Sequence, residues 1–174
     1  MTRFTTWRRS KASFAVLALV AFAALAFLTG CSPEASAEMK TYDGVNAMRA
    51  AGGLPPLAPD RALVEVARIR SQDMAAKTYF NHTPPDGCNF LCIMDARGVP
   101  HSWAGENIAY IAYIAWNDWS WTQTAAVAVQ MWHDSPPHYE NIMDCHYERF
   151  GTGVAKAADG KIYYTMIFEG DRDC

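Results

Sequence analysis

Positive charge is scarce in this chain once its first residues are set aside. Lys and Arg number 15 against 18 Asp and Glu, and four of the basic side chains, Arg3, Arg8, Arg9 and Lys11, lie in a leading stretch that has no acid. Removing those four charges takes the formal balance from −3 to −7 over residues 31 to 174. A mildly acidic balance excludes nucleic acid, whose phosphates demand a basic face, and excludes electrostatic adhesion to anionic headgroups. Long apolar runs are missing too. The run Phe14 to Leu28 is 15 residues, short of the ~20 that a membrane-spanning helix needs. There is no internal repeat, no second linker, no HExxH motif and no zinc-ribbon cysteine spacing. One domain with one core is the organisation that remains.

What is present begins with that leader. A basic start followed by a short apolar run is a signal-peptide core, and it ends in Leu28, Thr29, Gly30 and Cys31. This ending resembles a bacterial lipobox, where cleavage precedes a cysteine carrying a diacylglyceryl thioether. Cys31 would then be the first residue, and two acyl chains anchor stably where one does not. The rival reading is an ordinary signal peptide cut within the Ala-rich segment after Cys31. Residues 32–40, SPEASAEMK, are small, polar and unpatterned, so residues 31–40 read as a flexible tether. The division is a signal peptide at 1–30, a tether at 31–40 and a domain at 41–174. Such a protein is exported, monomeric, and held to a bacterial membrane, at the cell surface or periplasmic face, without spanning it.

Four cysteines follow Cys31, and in an exported chain two disulfides are the natural count. Cys145 and Cys174 lie about equally far from the turn at Asp159-Gly160, so a hairpin there brings them opposite each other; Cys88 and Cys92 then close a small loop. A metal site built on these cysteines is the rival. The clearest helix starts at an Asp60 cap, with Leu63, Val66, Ala67, Arg70 and Met74 recurring at three and four and an end near Lys77. Residues 41–51 place Tyr42, Val45 and Met48 on one face of a short helix before Gly52-Gly53. Residues 103–110 read as short and partly extended. Thr122 caps a helix carrying Ala126, Val129, Met131 and Trp132 up to the Ser135-Pro136-Pro137 break. FGTGVAKA and KIYYTMIFE flank ADG as a hairpin. Helices around a small sheet make a mixed α+β domain.

The polar residues that stand out are His82 at a loop entrance, Glu106 after Gly105, and His138 after the Ser-Pro-Pro break. Two imidazoles and a carboxylate with an open position are a zinc-type donor set. In order along the chain come Asn46, Arg49, GLPPL, LVEVARIRSQDM, YFNH, PDG, the GEN at 105–107, Trp132, SPPH, NIM, GTGV and YYTMIF. This order of segments resembles the CAP superfamily of cysteine-rich secretory, antigen 5 and pathogenesis-related proteins, in its bacterial extracellular branch. The resemblance implies an α/β/α sandwich with a three-stranded antiparallel sheet and a cleft lined by two histidines and two acids. His82, Glu106 and His138 take three of those positions. Ser135 stands where many members carry the second acid, which disfavours calcium and leaves zinc or another divalent metal.

Two functions follow. The first is a non-catalytic binding module for a lipid, glycan or surface partner, with Tyr113, Trp116, Trp119 and Trp121 as a possible ligand-contact loop whose plainer role is packing. The second is an envelope hydrolase, using metal-bound water with Glu106 as base, or Ser135 activated by a histidine. Ser135 equally suits a turn or a helix cap, and Glu106 a backbone cap. His101, His133 and His146 read as surface or packing residues, unpaired with any carboxylate.

Overall fold

The computed structural model describes residues 32–112 and 121–174. Cys31, Tyr113, Trp116 and Trp119 therefore lie outside the described residues. The elements in order are α1 (Pro33–Ala51), β1 (Ala58–Pro59), α2 (Arg61–Lys77), α3 (Phe90–Ala96), β2 (Trp103–Ile111), α4 (Trp121–His133), α5 (Pro136–Ile142), β3 (Arg149–Lys156) and β4 (Ile162–Gly170). The sheet order is β1-β3-β4-β2.

Three of these strands form the expected antiparallel sheet, with β4 between β3 and β2. A fourth corrects the expectation: β1 pairs with β3 in parallel, making the sheet mixed. This strand is two residues long and its second residue is Pro59, so it has no alternation to read. The Ala58 amide donates to the Glu148 carbonyl at 2.8 Å and the Asp60 amide to the Phe150 carbonyl at 3.0 Å. Every residue of β4 is buried, because helices cover both faces of the sheet. Its alternation therefore sorts side chains between two cores instead of between core and water.

One core holds α1, α4 and α5 against the sheet, with Val45, Trp132, Phe150, Tyr164 and Phe168 fully or nearly buried. On the opposite face α2 places Leu63, Val66, Ala67, Arg70 and Met74 inward as its periodicity predicts. The Asp60 side chain caps it, accepting from the amides of Ala62 and Leu63 at 2.8 and 3.1 Å. The helix lies so close to β3 that a Cβ on Gly151 would sit 2.1 Å from the Leu63–Val64 backbone, and one on Gly153 2.3 Å from that of Ala67–Arg68. The GTGV run is thus a contact surface for α2. Cys88–Cys92 and Cys145–Cys174 are both disulfide-bonded.

The helix over 41–51 extends back to Pro33, so residues 33–40 are structure and not tether. Pro33 takes the first helical position, where its fixed φ suits the turn. Ala37 is fully buried, Thr152 Oγ1 donates to the Glu38 carbonyl at 3.3 Å, and Arg68 makes a two-pronged contact with the Glu38 carboxylate at 2.7 and 2.6 Å. Small polar composition concealed a helix whose inward residues are alanine and one paired acid. On α4 the buried face is Thr124, Ala125, Ala128 and Trp132; Met131, expected on it, is 43% exposed. Arg49, fully buried, ties α1 to the far end of α5 by donating to the carbonyls of Ile142 and Asp144, each at 2.8 Å.

A chain beginning at Thr41 is expected to lose about 1–3 kcal/mol against one beginning at Pro33, read from urea unfolding midpoints, since it gives up a buried helix turn and the Glu38 contacts. Equal midpoints would return residues 33–40 to the status of a tether.

Candidate functional site

The site is built from α2 outward. Arg70 and Glu106 face each other across the interior, Nε to Oε1 at 2.7 Å, with each side chain only 1% exposed. An isolated charge at such depth is costly, and the pair is tolerated because each partner's remaining capacity is filled. Arg70 also donates to the Tyr79 hydroxyl at 2.7 Å and, through one NH2 nitrogen, to the carbonyls of Asn81 and His82 at 2.9 and 3.1 Å. Burial pulls the Arg70 pKa down, but the hydrogen bond and charge of Glu106 outweigh it and the net direction is up. Tyr79 passes the network on to Asp73 at 2.6 Å, and burial first, then Asp73, raises its phenol to about 12.

The second oxygen of Glu106 accepts from His82 Nδ1 at 2.7 Å. The His82 side chain is 55% exposed, so a buried carboxylate orients a largely solvent-facing imidazole whose Nε2 is directed away from that bond. Arg70 therefore holds His82 twice, once through the backbone of its loop and once through Glu106.

The other wall comes from the GEN segment. Glu106, Ile108 and Tyr110 project to the α2 face of the sheet, while Gly105, Asn107, Ala109 and Ile111 project to the other. A Cβ at Gly105 would lie 2.4 Å from the Tyr147 hydroxyl and 2.6 Å from Asn141 Oδ1, so glycine lets α5 approach. Asn107 Nδ2 donates to the His138 carbonyl at 3.0 Å, Asn141 Nδ2 to Asn107 Oδ1 at 2.9 Å, and the Tyr147 hydroxyl to Asn141 Oδ1 at 2.9 Å. Trp132 Nε1 donates to the Ile108 carbonyl at 3.0 Å. These bonds fix α5 along the edge of β2 and so place His138.

His138 Nδ1 lies 2.8 Å from Ser135 Oγ. Ser135 has the extended backbone of a helix cap, yet its side chain caps no amide and engages His138 instead. His138 is held below the ordinary 6.5, mainly by burial and secondarily by the charge of His82. Both imidazoles are thus pinned through Nδ1, one by a carboxylate and one by a hydroxyl.

The expected residues divide accordingly. His82 and Glu106 are joined directly, and His138 and Ser135 form a second pair. Glu106, expected as a cleft ligand or base, has both oxygens engaged inside the fold, one by Arg70 and one by His82. Among the described residues, His82, Glu106 and His138 do not bring one ligand atom each within 4.8 Å of one another; Cys145, His146 and Cys174 do. That group could hold a metal in its thiol form, but its two sulfurs are bonded to each other here. Trp121 opens α4 half-buried against the main core, its carbonyl accepting from Thr124 Oγ1 at 2.9 Å, which is a packing role. His101, His133 and His146 each pair with a carboxylate, Asp95, Asp134 and Asp144, at 2.9, 2.9 and 2.7 Å. Two of these partners are one or two residues away in sequence, a signal that spacing did contain.

Residues 42–168 match the cysteine-rich secretory protein family, CAP, and the chain belongs to it. It is 32% identical over 120 residues to the uncharacterized protein YkwD of Bacillus subtilis, covering 69% of this chain and 43% of that one. The chain spans less than half the length of the curated relatives it matches. An extracellular SCP-domain protein of Bacillus anthracis superposes with a TM-score of 0.64 at 27% identity, over 79% of this chain and 41% of that one. An outer surface protein of Borrelia burgdorferi gives 0.63 at 18% identity, over 75% and 90%; at that identity the likeness is one of fold. Among the described residues no helix is long and apolar enough to cross a membrane.

Two outcomes are expected of the site. Glu106→Gln leaves Arg70 a buried, uncompensated cation and should cost about 3–5 kcal/mol by chemical denaturation; Arg70→Met should cost a similar amount, and a loss under 1 kcal/mol for both would mean the pair is not buried as described. A depressed His138 pKa means the folded state prefers the neutral ring, so stability is full above pH ~6.5 and falls as pH drops from there toward the folded-state pKa. His138→Gln should flatten that slope in denaturation midpoints measured between pH 7.5 and 5, and an unaltered slope would remove His138 as its source.

Proposed function

We propose that this protein is an exported CAP-domain binding module, held to a membrane by lipid at Cys31, whose cleft takes up a lipid, glycan or surface partner between His82 and His138. The observation that carries this reading is the engagement of both Glu106 oxygens. With one oxygen committed to Arg70 and the other to His82, Glu106 is poorly placed to act as a general base. What the cleft offers is two imidazole rings, each oriented through Nδ1 by a hydrogen bond, which suit recognition. The disulfides agree with an oxidising compartment.

A divalent metal at this site would use its donors in one form, since Glu106 has both oxygens engaged. His82 and His138 would supply nitrogen through Nε2, and Glu106 would act behind His82, as carboxylates commonly do behind metal-bound imidazoles. Nitrogen donors favour zinc over calcium, and with Ser135 in place of an acid water would complete the shell. Native mass spectrometry of the full chain, extracted from membranes in mild detergent and compared with a His82→Ala/His138→Ala variant, tests both parts. The wild type should carry a mass that the variant lacks, whether metal or organic ligand. Identical ligand-bound masses would reject the cleft as the binding site.

A second reading rests on the 2.8 Å contact between Ser135 Oγ and His138 Nδ1. A neutral imidazole beside a hydroxyl can accept its proton during ester hydrolysis. Turnover of nitrophenyl esters that disappears in Ser135→Ala, with the fold intact by circular dichroism, would favour it over the binding module.

A further inference from the structure

The direction of α1 fixes at which end of the domain Pro33 lies. Tyr42 stacks on Phe150 with ring centroids 4.8 Å apart, and one turn earlier the Glu38 carbonyl accepts from Thr152. The helix therefore runs opposite to β3, and its first turn lies toward Lys156 and the β3–β4 turn. That turn is closed by the Ala157 amide donating to the Lys161 carbonyl at 2.7 Å. On the other face α2 runs with β3, Leu63 over Gly151 and Ala67 over Gly153, so its last residues reach the same end. Strand β2 also finishes there, with Tyr110 opposite Tyr163 and Ile111 opposite Ile162.

This end has a distinct surface. Phe80, just past α2, and Tyr110 are 43% and 38% exposed and meet edge to face at 4.9 Å. The same end carries a recess of about 410 Å³ lined by alanines from α2 and the β3–β4 turn, among them Ala75 and Ala157, together with Gln72, Lys156 and Asp159. A tyrosine with its polar hydroxyl beside an exposed phenylalanine, rimmed by small and polar side chains, is what a lipid–water interface accepts.

We propose that the domain rests directly on the lipid surface by this end, the β3–β4 turn with Phe80 and Tyr110, because the connection from the anchor is too short to hold it anywhere else. This rests on lipidation at Cys31. Cys31 precedes Pro33 by two residues, at most about 7 Å of extended chain, and Pro33 is already helix on a helix tied down by Ala37 and Glu38. From Tyr110 back to Glu106 is four strand residues, about 13 Å. The cleft then opens within reach of the headgroup layer, and its partner is a molecule of the same membrane surface.

The test uses the full lipidated chain in phosphatidylcholine vesicles, with a bimane label on Ala158→Cys in the β3–β4 turn or on Arg61→Cys at the start of α2. Flotation reads the anchor: wild type should float and Cys31→Ala should not. Wild type that stays at the bottom overturns the anchor and the docking together. Quenching by brominated phosphatidylcholine reads the docking, and should be at least several-fold stronger at position 158 than at 61. Floating protein quenched equally at both positions, or at neither, overturns the docking alone. A Gly/Ser insert of about 12 residues between Ser32 and Pro33, giving roughly 20 Å of added reach, should still float while losing the quenching at 158. Quenching that survives the insert would overturn the short connection as the cause.

Discussion

The buried contact between Arg70 and Glu106 joins the parts of this domain that sequence keeps far apart. Arg70 belongs to the helix on one face of the sheet and Glu106 to an edge strand. Through its remaining donors Arg70 also sets the backbone of the loop carrying His82. Two desolvated charges gain little net stability as a pair. Their effect is on geometry: with each group's hydrogen bonds made, displacing α2, the His82 loop or β2 would leave a buried charge without its partner. The exposed imidazole inherits that rigidity.

The second wall is held differently, by neutral amides and a hydroxyl. Asn107, Asn141 and Tyr147 form a chain from β2 to α5, and Gly105 leaves room for it. The GEN segment therefore does two jobs, with its glutamate facing one layer and its glycine and asparagine the other. One side of the cleft is a charged pair with both partners engaged, and the other is a neutral network in which the Ser135 and His138 side chains pair with each other.

Much of this was legible from residues alone. The Asp60 cap and the three-four recurrence from Leu63 to Met74 read directly as α2, because both are local and strongly periodic. The hairpin and the two disulfides followed from turn chemistry and spacing. His82, Glu106 and His138 stand out as polar residues at loop entrances and breaks, and the family resemblance groups them, but the use of Glu106 is not legible, since nothing local says that a carboxylate's oxygens will both be claimed by distant residues. Arg70 was placed on the buried face without its charge being weighed. An arginine among Leu, Val and Met at helical spacing is itself the sign of a buried partner. Residues 33–40 were misread because their helix depends on tertiary cover, with Ala37 and Glu38 contributing almost no hydrophobic signal. Strand β1 escaped because two residues carry no period.

Strands at the margins of a sheet invite a further strand from another molecule. Here β1 is a dipeptide containing proline, which can neither extend a ladder nor donate at that position. On the opposite margin, α5 runs beside β2 and the Ile108 carbonyl is taken by Trp132. The Trp132 indole thus occupies a carbonyl near the sheet's margin as well as filling a core, which leaves one acceptor fewer for a strand from another molecule.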